Sequence, residues 1–115
     1  MHLLAAIPGG IADGSEAVDL GQSPADILFL SAADTELSSL ATAFENLPGD
    51  ASTLRLANTM QLVHNLSVDI YVEEMIGHAK LVVIRLLGGV SYWPYGVEQI
   101  TECCRKKGIK LAYLP

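Results

Sequence analysis

Residues 81–96 carry the side chains in this sequence best placed to do chemistry. They read L-V-V-I-R-L-L-G-G-V-S-Y-W-P-Y-G. Arg85 lies late in an apolar run, where a guanidinium keeps its charge and must find partners. It can meet a carboxylate of a ligand or of a neighbouring domain, or form an internal ion pair with Asp26, Asp34 or Asp69. Gly88 and Gly89 admit backbone conformations closed to other residues, or let another group approach the chain closely. Tyr92, Trp93 and Tyr95 fill three of four consecutive positions. Such a cluster can clamp a flat ligand, dock another domain, or staple a local edge. An interface is the preferred reading, because exposed aromatic clusters mark contacts. Asp34, Asn58 and His64 are polar candidates on other loops.

Other chemistries find no support, and no catalytic residue is identified. No two histidines have metal-ligand spacing and there is no C-x-x-C, so no metal site is expected. A lone histidine such as His64 is more often a hydrogen-bonded structural residue than a ligand. Cys103 and Cys104 are adjacent and point apart on a helix, which makes them poor disulfide partners. Cys104 is expected to pack as a small hydrophobe, with Cys103 half exposed. The glycine-rich stretch 8–14 (P-G-G-I-A-D-G) lacks the dinucleotide fingerprint and the phosphate-loop spacing, and reads as a surface turn. Ser31 lacks the G-x-S-x-G elbow of a hydrolase nucleophile.

The elements that must position these residues alternate between strand and helix patterns. Strands are expected at 2–7, 26–31, 53–58, 80–87 and 109–114. Asp34 is the expected N-cap of a first helix, which carries Leu37, Leu40, Ala41 and Phe44 on one face and ends at Pro48 and Gly49. Ser67 is the expected N-cap of a second, with the stripe Val68, Val72, Met75, Ile76 and Ala79. Pro94 suits the first turn of a third. There Val97, Ile100 and Cys104 face inward, Arg105, Lys106 and Lys107 complement the dipole, and Gly108 caps the end. Alternation implies an α/β fold: an open, mostly parallel, doubly wound sheet of flavodoxin or Rossmann kind, about five strands with helices on both faces. The connection from the first strand to the second lacks a crossover helix. Ligands of such sheets bind beyond the carboxyl ends of the strands. Segments 8–14, 31–34, 58–65 and 85–96 would meet there.

With 115 residues, one domain spanning 1–115 is expected. Half the residues are hydrophobic and 17% are charged, below the usual quarter. Something covers part of the surface, or the chain is a piece of a longer protein. The abrupt end of the last strand supports the second. A net charge of −6 with scattered cations argues against nucleic acid and against an anionic membrane surface. No apolar run reaches the roughly 20 residues of a membrane span. Without an export signal or a disulfide framework, a cytoplasmic setting is expected.

Five segments together closely resemble one family: M-H-L-L-A at 1–5, I-A-D-G-S-E-A-V-D-L-G-Q-S-P-A-D-I-L-F-L-S-A-A-D-T-E-L at 11–37, L-R-L-A-N-T-M-Q-L at 54–62, S-V-D-I-Y-V-E at 67–73, and R-L-L-G-G-V-S-Y-W-P-Y-G-V-E-Q at 85–99. This is similar to the amino-terminal end of the large subunit of aerobic cobaltochelatase, a relative of the porphyrin-binding subunit of magnesium chelatase. The resemblance implies ATP-dependent insertion of Co(II) into hydrogenobyrinic acid a,c-diamide, in cobalamin biosynthesis. It implies that the large subunit carries tetrapyrrole and metal while two smaller AAA+-type subunits handle ATP with Mg. The chain would be the first domain of that subunit, binding no cofactor itself and docking against the remainder. No family metal ligand carries over to a position here. The negative charge weighs against this domain being the main cradle for a polycarboxylate tetrapyrrole. The rival reading is a stand-alone flavodoxin-like module that binds a small molecule or a partner without enzymatic activity.

Overall fold

A computed structural model describes residues 17–49 and 51–115. Its elements in chain order are β1 (Ile27–Ser31), α1 (Asp34–Glu45), β2 (Leu54–Asn58), α2 (Asn65–Glu74), β3 (Leu81–Arg85), α3 (Pro94–Lys107) and β4 (Lys110–Leu114). Single turns of 3-10 helix follow β2 (Thr59–Leu62), follow α2 (Ile76–His78) and precede α3 (Val90–Tyr92).

The strands form a parallel sheet in the order β2-β1-β3-β4. Phe29 pairs with Leu56 on one side and Val83 on the other, and Val83 pairs with Ala112. The parallel α/β expectation is met with four strands among the described residues. The strand expected at 2–7 and the first part of its link to the next, including loop 8–14, lie outside them.

Period-two alternation splits each strand between two faces. Leu28, Leu30, Ala57, Val82 and Ile84 point to one side, where they form a single core with Val68 and Tyr71 of α2 and Ile100 and Cys104 of α3. α1 packs on β1 and β2. Right-handed crossovers put it on the opposite face, because β1→β2 and β2→β3 run in opposite directions across the sheet. Leu37 of α1 and Leu56 of β2 are fully buried there.

Helix starts differ from expectation. Ala33 precedes α1 and makes no side-chain cap, and Asp34 is the first helical residue. The strand-to-helix turn is held instead by the buried Ser31 hydroxyl, which accepts from the Ala33 amide at 3.0 Å. α2 begins two residues before Ser67. His64 is its N-cap, with Nδ1 accepting from the Leu66 amide at 3.1 Å. Ser67 is buried one turn in and accepts from the Val18 amide at 2.7 Å. The expected stripe residues are all buried or half-buried, but only Val68 and Val72 lie on α2, which stops at Glu74; Met75, Ile76 and Ala79 fall in and around the tighter turn before β3. Pro94 and Gly108 behave as expected. The proline opens α3, and Gly108 takes a left-handed conformation (φ 69°) at its end.

Both cysteines are free, Cys104 buried and Cys103 half-buried. Burial, with a smaller contribution from Cys103, pushes the Cys104 thiol up to about 11. A thiol whose pKa is raised on folding stabilises the fold fully below its unfolded pKa, and that contribution is lost as pH climbs toward the folded value. Iodoacetamide at about pH 8 is therefore expected to label Cys103 and spare Cys104 until the pH nears 11 or the chain unfolds. Peptide mapping showing equal labelling of the two in the native chain contradicts this packing.

Candidate functional site

β1 is central because the chain first winds to one side of it, forming β2, and then to the other, forming β3. The loops leaving β1 and β3 consequently diverge at their carboxyl ends. In open parallel sheets a crevice opens at such a point of reversal. Here it has a volume of about 280 Å³ and is walled by Ala32 after β1, Thr59 and Met60 after β2, and Arg85, Leu86, Leu87, Gly89, Tyr92 and Trp93 at and after the end of β3.

Of the candidates named from sequence, Arg85, Gly89, Tyr92 and Trp93 line this space. Gly88 and Gly89 both have positive φ, 89° and 92°. A Cβ on Gly88 would come within 2.6 Å of the Tyr92 ring, so the turn needs glycine there for its dihedral and for its close contact. The aromatic cluster divides. Trp93 is buried, and its Nε1 donates to the Leu62 carbonyl at 2.9 Å, tying the loop after β3 to the loop after β2. The indole lies against Gly96, where a Cβ would fall 2.1 Å from the ring. Tyr95 turns away and donates to Asp69 of α2 at 2.7 Å. That hydrogen bond to the carboxylate raises its pKa. Tyr92 alone stands out, 78% exposed. Trp93 thus acts as the local staple, while Tyr92 is left exposed at the rim.

Arg85 has an internal partner, and it is none of the three aspartates considered. Its Nε donates to Oε2 of Glu36 at 2.7 Å, and Nη1 donates to the Pro115 carbonyl at 2.9 Å. Both side chains of the pair are roughly one-third exposed. Oε1 of Glu36 is buried without a hydrogen-bond partner, so the carboxylate depends on Arg85. Glu36 escaped the sequence reading because 49 residues separate the two. Only the adjacency of β1 and β3 brings the first turn of α1 over Arg85.

The remaining candidates serve the scaffold beside the crevice. Asn58 Nδ2 donates to Asp34 at 2.7 Å, while its Oδ1 accepts from the Met60 amide at 2.8 Å and caps the turn after β2. His64 caps α2. Among the described residues, no group of three His, Cys, Asp or Glu is placed to hold a metal ion. Thr59, Met60, Leu86 and Leu87 also line the crevice; they were not singled out individually, though they fall in the segments 58–65 and 85–96 expected at this edge. Their only signal is a position just past a strand end, which becomes informative once the strand order is known.

What the crevice can do chemically is hold an apolar group, with one guanidinium already engaged at its wall. Two consequences are measurable. Trp93 is the sole tryptophan, so its emission reports on the crevice. Gly96→Ala must displace the indole, and is expected to cost about 1–3 kcal/mol of stability and shift that emission to the red. Unchanged emission and urea midpoint would refute the contact. A double-mutant cycle of Arg85→Met with Glu36→Gln should return a coupling of about 1 kcal/mol that shrinks with added salt. A coupling of zero would mean that the pair contributes nothing.

No family model matches the chain, and no solved structure matches it. Two curated relatives do. The chain is 56% identical over all 115 residues to aerobic cobaltochelatase subunit CobN of Sinorhizobium sp, covering 9% of that protein. It is 47% identical over 106 residues to aerobic cobaltochelatase subunit CobN of Pseudomonas aeruginosa, covering 8% of it. The chain therefore spans less than a tenth of the length of these relatives. At such identity over the length of the chain, it belongs, as an amino-terminal segment, to the cobaltochelatase large-subunit family.

Proposed function

We propose that this chain is the first domain of the large subunit of an ATP-dependent cobaltochelatase, and that it serves docking rather than catalysis. In that reading the full subunit inserts Co(II) into hydrogenobyrinic acid a,c-diamide in aerobic cobalamin biosynthesis. Two smaller AAA+-type subunits use ATP with Mg, and the assembly works in the cytoplasm. The observation that carries the reading is the 56% identity to a cobaltochelatase subunit along the entire chain. The chemistry of the rim is consistent with it. The described residues there offer apolar side chains, a buried indole and a committed ion pair, but no nucleophile beside a base. No described helix is long and apolar enough to cross a membrane.

The test is reconstitution. The full-length chain, mixed with both smaller subunits, cobalt, ATP and the tetrapyrrole, is expected to yield the cobalt complex by its visible absorbance. The same mixture with residues 1–115 in place of the full chain is expected to yield none. Cobalt insertion by residues 1–115 would place catalysis in this domain and sink the docking reading. A full-length chain inert with every component present would remove the cobaltochelatase assignment.

A further inference from the structure

We infer that the crevice between the ends of β1 and β3 is the seat of the polypeptide that follows residue 115 in the full-length subunit, which lays an apolar side chain between Met60, Leu86 and Trp93. The inference rests on reading the chain as the first domain of that subunit, and it names what this domain docks against.

Exposed apolar side chains recur on the segments that follow β2 and β3. Among the described residues, seven large apolar side chains are exposed, and six of them follow β2 or β3: Met60, Leu87 and Tyr92 line the crevice, Val63 and Val90 stand elsewhere on the same loops, and Leu66 is in the first turn of α2. Each is 47% exposed or more. Scattered single exposures need no explanation, but a cluster around a concave site marks a contact surface. Trp93 binds the two loops together through the Leu62 carbonyl, so the patch is a fixed surface rather than two independent loops.

The occupant follows from where β4 delivers the chain. β4 is parallel to β3, so its carboxyl end reaches the same rim. The Leu86 amide donates to the Leu114 carbonyl at 2.9 Å, and Arg85 holds the Pro115 carbonyl at 2.9 Å. Arg85 is also a wall of the crevice. The backbone therefore leaves β4 from a residue clamped at the crevice edge. At roughly 3.4 Å per extended residue, a short stretch suffices to cross it. In the relatives more than nine-tenths of the polypeptide lies outside this segment.

A small anionic ligand fits less well. The chain carries a net charge of −6, and two donors of the one crevice guanidinium are already spent on Glu36 and Pro115. The volume, about 280 Å³, falls just below the roughly 300–1,000 Å³ of small-molecule sites. It suits a bulky side chain.

The test uses the full-length subunit with the photoreactive residue p-benzoylphenylalanine placed at position 92, and in a second preparation at position 60. Both native side chains are exposed, so neither change disturbs the core. After irradiation and digestion, mass spectrometry is expected to find both positions joined to the domain-sized stretch directly after residue 115, about 100–150 residues. Links to a distant part of the subunit, to either smaller subunit, or to nothing would overturn the inference. Cobalt insertion is assayed on the unsubstituted assembly in parallel. Insertion with links elsewhere removes this inference and leaves the proposed function standing. Absent insertion removes the proposed function, while the link map still decides what occupies the crevice.

Discussion

The reversal of winding at β1 is the constraint on which the rest depends. A right-handed crossover can lay the next parallel strand on either side of β1, but one placement puts its helix above the sheet and the other below. Here β2 lies to one side and β3 to the other. Among the described helices, that choice puts α1 on one face and pairs α2 with α3 on the other. It also parts the loops after β1 and β3, and a cavity results without any residue devoted to making it.

Most of the polar chemistry at this rim is consumed in holding it. Ser31, Asn58 and His64 each accept a backbone amide at a turn or helix start, satisfying donors that would otherwise be orphaned. Trp93 spends its one donor on a loop carbonyl. Arg85 is shared between a glutamate and the end of β4. Once these groups are committed, the face presented outward is apolar. An apolar rim on a chain of net negative charge supports the proposed docking role over the gathering of anions from solution.

The link between Arg85 and Pro115 ties the end of β3 to the end of β4. A charge-assisted hydrogen bond runs from the Arg85 Nη1 to the Pro115 oxygen. The same guanidinium neutralises the otherwise partnerless Glu36 beneath it. One side chain thus couples α1, β3 and the end of β4. That is why it can sit in a buried strand without an external ligand.

The alternation of strand and helix, the parallel sheet, the stripes of α1 and α2, Pro94, Gly108 and the glycine pair at 88–89 were all legible in the sequence. Each of these depends on a local rule: residue period, fixed φ, or freedom to adopt positive φ. The whole-chain likeness to cobaltochelatase large subunits was legible for the same reason, since it is a property of residue order alone. The caps at Ala33 and His64 were not, because several polar residues near a helix start can accept the same amide and packing selects among them. Nor were Glu36 as the partner of Arg85, the separation of Trp93 from Tyr92, or the placing of Met60 beside Leu86. These contacts join residues far apart along the chain or depend on which way a side chain turns. Only the assembled strand order and the close packing of the core decide them.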